Sequence, residues 1–145
     1  MTADAAGRAE RGLPGRGRRV GASPSARHVG LAVLGAFNAL AATGGAWGLA
    51  SGALSLGGLE SRLPWESTLL GGLALFVVVA VPNAVLGVLA WHGDRRTGPV
   101  AVATGLVLVV WILVELAFLR ELSFFHPLYL GVGLLLVWLG RRAPR

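Results

Sequence analysis

Thr97 to Arg120 reads TGPVAVATGLVLVVWILVELAFLR, and this stretch decides the fold because it sets one carboxylate, Glu115, inside an apolar run long enough to cross a bilayer. From Val100 onward the apolar residues fall on every side of a helix, the pattern of a lipid-embedded segment and not of an amphipathic surface helix. Gly98 and Pro99 mark its start, since proline in a first turn leaves no backbone bond unmade. Pro99 to Leu119 rises about 30 Å, close to the hydrocarbon thickness.

Glu115 then lies about 7 Å from the Arg120 end, in one outer third of the membrane. Trp111 is one turn away, and Leu108, Thr104 and Ala101 continue the stripe, so one face carries a hydroxyl, an indole and a carboxylate. A charged group at mid-membrane costs roughly 3 kcal/mol, and less near the interface, so it normally faces the bundle interior. Such a residue either fixes helix packing through a polar neighbour or forms a proton, cation or ligand site.

The composition agrees with a membrane protein. Of the 145 residues 54% are hydrophobic and 14% charged, whereas charged residues approach about a quarter of a soluble domain. Without cysteine there are no disulfides, thiolate metal sites or thiol redox chemistry. The net charge of +6 could suggest nucleic acid, but the arginines cluster beside the apolar runs, and those of the first 27 residues have no interleaved aromatics for base stacking. Residues 1–27 read as a disordered basic tail whose expected partners are anionic lipid headgroups, with no nucleic acid.

Further spans lie on both sides of the first stretch. Residues 28–50 form one, longer than a signal-peptide core, although small residues after Leu40 imitate a cleavage site. Gly44, Gly48 and Gly52 make a GxxxGxxxG row suited to close helix packing. Residues 51–66 connect to the next span, with Leu56, Leu59, Leu63 and Trp65 fitting either an interfacial element or a loop. In residues 67–91, Pro82 is expected to kink the helix beside Asn83, while Gly72, Phe76, Val79, Asn83, Gly87 and Ala90 share an inward face. Asn38 and Asn83 fall at similar depths, so their amides are candidates for a hydrogen bond between helices. The tight link His92 to Thr97 makes spans two and three antiparallel neighbours. The last run ends at Arg141 and Arg142; counted from Pro127 to Gly140 it covers only about 20 Å. The helix therefore starts near Leu122 with a kink at Pro127, or its bundle end is recessed.

Arginine placement sets the expected topology. The six tail arginines, Arg95, Arg96, Arg141, Arg142 and Arg145 fall on one side, and Arg62 and Arg120 on the other. The positive-inside rule puts both termini in the cytoplasm and Glu115, His126 and Tyr129 toward the outside. Those three, with Trp111, Arg62 or Arg120, form the candidate ligand or proton site, because histidine beside a carboxylate holds or passes a proton and tyrosine orients either. A structural hydrogen-bond network is the alternative. His28 and His92 both lie at the edge of the apolar runs, which argues against haem, and the three scattered histidines lack metal-ligand spacing. No cofactor or metal is expected, and no GxSxG, phosphate loop or paired acids support hydrolytic or nucleotide-driven chemistry.

In size and in its single membrane glutamate the chain looks like the small multidrug resistance transporters, but they carry that residue in the first span and this chain does not. More closely, GLVLVVWILVE (Gly105 to Glu115), HPLYLGVG (His126 to Gly133) and VPNAVLG (Val81 to Gly87) resemble an uncharacterised group of small four-span proteins of high-GC Gram-positive bacteria. That resemblance implies the fold and the membrane, and brings no activity with it.

The expectation is an all-α, four-helix transmembrane bundle with spans at 28–50, 67–91, 98–119 and 122–140, a cytoplasmic tail at 143–145, and a place in the plasma membrane. Asn38, Asn83 and Thr104 are its intramembrane polar packing residues. The favoured function is non-enzymatic: an accessory or assembly partner, or a bundle that binds a small ligand or lipid at Glu115, with a homo-oligomer or another membrane protein as possible partner. The rival is a proton-coupled transporter or channel-like oligomer using Glu115. A membrane enzyme acting on a lipid or quinone rests only on the Glu, His and Tyr grouping.

Overall fold

The computed structural model describes residues 26–54, 67–120 and 122–143. Most of the expected tail, with all its arginines but Arg27, and the connection bearing Arg62 and Trp65 lie outside the described residues. Four helices carry the fold: α1 Ala26–Ala50, α2 Thr68–Trp91, α3 Thr97–Leu119 and α4 Phe125–Arg141. Among the described residues there is no strand. The chain is an all-α bundle, and three helices, α1, α2 and α3, are long and apolar enough to cross a membrane. Helix α4, at 17 residues, rises about 25 Å.

The outer surface carries the membrane signature. Phe37, Leu40, Leu69, Val88, Val110, Leu113 and Leu134 are all exposed, an apolar coat that lipid covers and water does not. Exposed Trp47 lies near one end of the bundle, and Trp91 and Trp138 near the other, where indoles favour the two interfaces.

Local chemistry sets the helix ends. Ser67 Oγ accepts from Leu70 N–H and caps α2. At the far end Gly93 takes φ +63, and Asp94 N–H donates to Leu89 O while Gly93 N–H donates to Ala90 O, a Schellman stop that needs a residue without Cβ. Asp94 Oδ1 then accepts from Arg96 N–H at 2.7 Å, so the chain turns directly into α3. Pro99 falls in the first turn of α3, as its missing donor requires.

Two expectations about helix shape change. At Pro82, where a kink is expected, α2 stays continuous and the turn before it, Phe76–Ala80, widens to π geometry, with Val81 N–H donating to Phe76 O. Asn83 Nδ2 donates to Val79 O at 2.9 Å, supplying a donor in the turn where proline supplies none. The expected inward face of α2 is buried at Gly72, Val79, Asn83, Gly87 and Ala90, but Phe76, which opens the π turn, is 41% exposed. Helix α4 begins at Phe125 and not near Leu122. Pro127 thus lies in its first turn and no kink is required.

The helices pair as two antiparallel hairpins, α1 with α2 and α3 with α4. Glycines set the closest approaches. A Cβ on Gly105 would meet Gly133 O, and one on Gly98 would meet Gly140 O at 3.0 Å; a Cβ on Gly35 would meet Asn83 O and Gly87 N, both at 2.8 Å. The expected row is placed differently: Gly44 meets nothing, Gly48 lies under Leu54 of its own connection, and Gly52 stands beyond the helix at φ +74. Its role there is a turn, not contact between helices.

Two apolar layers fill the interior. Leu31, Ala32, Leu86, Ala90, Ala101 and Leu136 form the one nearer the His92 end, and Ala42, Val79, Ala80 and Leu108 the other.

Gly105→Ala should lower unfolding stability in micelles by about 1–3 kcal/mol, the cost of forcing packed backbones apart. Gly44→Ala should stay within about 0.5 kcal/mol of the parent, or gain slightly from helix propensity. Equal losses at the two sites would refute the assigned packing.

Candidate functional site

The register of α3 against α4 builds the site. With Gly98 beside Gly140 and Gly105 beside Gly133, antiparallel helices bring Ile112 level with His126 and Glu115 level with Ser123. Trp111 and Glu115 sit one turn apart on α3, and His126 and Tyr129 lie on the first turns of α4. All four line one cavity of about 530 Å³. Its remaining wall includes Ala41, Ala42 and Gly45 of α1, Leu75 and Val79 of α2, Leu108 and Ile112 of α3, and Ser123 and Phe125.

His126 is only 7% exposed and its ring is fixed from one side. Ser123 N–H donates to His126 Nδ1 at 3.0 Å, while His126 N–H donates to Ser123 O at 3.1 Å. This reciprocal pair caps the start of α4 in the manner of a capping box. In this contact Nδ1 is the acceptor. Nδ1 also lies 3.3 Å from Ser123 O, so both backbone groups of Ser123 face the same ring nitrogen. The hydrogen bonds of His126 go to Ser123, and none to Glu115 or Tyr129 is present among the described residues.

Glu115 is half-buried, with Trp111 and His126 as its polar neighbours. The Trp111 indole is turned toward the carboxyl, yet its Nε1 is buried without a partner in hydrogen-bond geometry. Among the described residues no cation forms an ion pair with Glu115 or lines the cavity. Arg120 is exposed, in a left-handed conformation at φ 52 where it closes α3, and takes no part in the wall. Arg62 lies outside the described residues.

The other polar residues occupy a separate level. Asn38 and Asn83 are each 1% exposed, and Thr104 3%. None of them lines the cavity. The expected amide pair between helices is not made: Asn83 Nδ2 bonds within its own helix, and Asn38 Nδ2 and Asn83 Oδ1 remain without partners. The stripe of Ala101, Thr104 and Leu108 is buried as helical spacing implies, but only Leu108, Trp111 and Glu115 reach the cavity.

Sequence reasoning missed the α1 wall and Ser123. Ser123 carried a signal, standing three residues before His126 at the spacing of a capping pair. Ala41, Ala42 and Gly45 carried none, because small residues are common throughout the chain. Among the described residues there is no group of three metal-binding side chains.

Asn83→Ala should cost about 1 kcal/mol by freeing Val79 O. In a double-mutant cycle with Asn38→Ala, the coupling should stay below about 0.5 kcal/mol, since the two amides are not bonded to each other. A larger coupling in thermal unfolding would mean that they are.

No protein-family profile, curated protein or solved structure matches the chain.

Proposed function

We propose that this membrane protein is a non-enzymatic bundle that binds an amphiphilic small molecule or lipid in the cavity around Glu115. The observation that carries the reading is the convergence of Glu115, Trp111, His126 and Tyr129 on one space of about 530 Å³. That size suits a drug-sized ligand, and mainly apolar walls with a few convergent polar groups are what such sites present. We further propose a plasma-membrane location with both termini in the cytoplasm, on the strength of the arginine asymmetry. The cavity would then face the outer leaflet, and the basic tail the anionic headgroups of the inner one.

A proton-coupled transporter is less well supported. Below the cavity the interior closes with Ala42, Val79, Ala80 and Leu108, and below these with Leu31, Leu86, Ala101 and Leu136. The polar side chains at that level, Asn38, Asn83 and Thr104, do not titrate, so the described interior below Glu115 and His126 holds no acid or base to relay a proton.

The test uses a photoreactive diazirine alkyl alcohol and the full chain in neutral micelles. Labelling is expected on peptides from Leu108 to Glu115 and Phe125 to Tyr129, reduced several-fold in Ala41→Phe, which fills the cavity from α1. Labelling spread evenly over the lipid-facing surface, and unchanged by Ala41→Phe, would reject the binding role.

A further inference from the structure

The cavity lies on the seam between α1 and α4, and the two helices are joined at one end of that seam only. At the His92 end Arg27 Nη1 donates to Arg142 O at 2.8 Å, and Leu31 and Leu136, both 0% exposed, share one core layer. Elsewhere α1 and α4 barely meet. Toward the Glu115 end their facing residues, Ala41 and Gly45 against Phe125 and Tyr129, border the cavity instead of closing on each other. The small α1 side chains leave the room.

The chemistry of the walls selects among such molecules. The polar neighbours of Glu115 are the His126 imidazole and the Trp111 indole, and no Arg or Lys of the described residues lines the cavity beside it. A carboxylate away from water without a cation is costly, and a ligand that brings the cation removes that cost. Trp111 and Tyr129 border the same space, and aromatic faces attract an alkylammonium group. Leu75, Val79 and Leu108 offer an apolar bed for its hydrocarbon.

We infer that the cavity takes an amphiphile with an ammonium head, admitted from the lipid between α1 and α4 and held by Glu115 between Trp111 and Tyr129. This rests on the proposed binding role and adds the class of ligand and its route. The same head chemistry comes from a free long-chain amine or from an aminophospholipid such as phosphatidylethanolamine.

The experiment compares dodecylamine with dodecanol, titrated into the full chain in maltoside micelles, which contain no amine, for the parent, Glu115→Gln and Ala41→Phe. Trp111 fluorescence, taken as the difference from Trp111→Phe, reports binding, and helical circular dichroism confirms that each variant is folded. The parent should bind the amine roughly tenfold more tightly than the alcohol, Glu115→Gln should erase that difference, and Ala41→Phe should weaken both. Native mass spectrometry after extraction from membranes separates the sources. Phosphatidylethanolamine retained by the parent and lost from Glu115→Gln identifies the lipid headgroup, and amine binding without retained lipid identifies the free amine. Equal affinity for amine and alcohol, both weakened by Ala41→Phe, would overturn the ammonium inference and leave the binding role standing. Binding of neither by the folded parent would overturn both.

Discussion

The contact on which the rest of the structure depends is the backbone approach of α3 to α4 at Gly98 with Gly140 and Gly105 with Gly133. In a bilayer there is little hydrophobic gain from pushing helices together, so close packing of small residues decides which faces meet. The two glycine pairs lie two turns apart and fix both the facing surfaces and the longitudinal register. Once that register is set, Glu115 must rise beside the start of α4, where Ser123 and His126 cap each other. The polar cluster is thus a consequence of where glycines fall some distance away.

The pair α1 and α2 follows the same rule with a different complication. Gly35 lets α1 approach Asn83 and Gly87, but α2 also has to carry Pro82. Its π turn and the Asn83 side chain keep the helix continuous across the proline. Asn83 Nδ2 is spent on its own helix, while Asn38 Nδ2 and Asn83 Oδ1 are both left without partners. Matching depth along two helices does not ensure a bond between polar side chains, because donor and acceptor must also meet in distance and angle.

Much of this was legible in the residues. The all-α class and the three long spans follow from uninterrupted apolar runs, and the grouping of Trp111, Glu115, His126 and Tyr129 follows from helical spacing and a short connection between antiparallel helices. What could not be read was which of 22 glycines face a neighbour. Gly44 and Gly48 have the right spacing but point to open space and to Leu54, because contact depends on rotation about the helix axis and not on spacing alone. The fourth helix began later than expected for a related reason. Ser123 and His126 end the connection through side-chain and backbone hydrogen bonds that hydropathy does not register.

The Schellman turn at Gly93 has a mechanical consequence. It ties α2 to α3 at the His92 end, the end where Arg27 also reaches Arg142. The connections that follow α1 and α3 lie at the opposite end, and each joins helices of the same hairpin. The covalent and hydrogen-bonded ties between the two hairpins among the described residues are thus at the His92 end, and nearer the cavity they are held by the packing of Ala42, Val79, Ala80 and Leu108. The sideways pressure of acyl chains, which varies with depth and lipid shape, acts there on that packing.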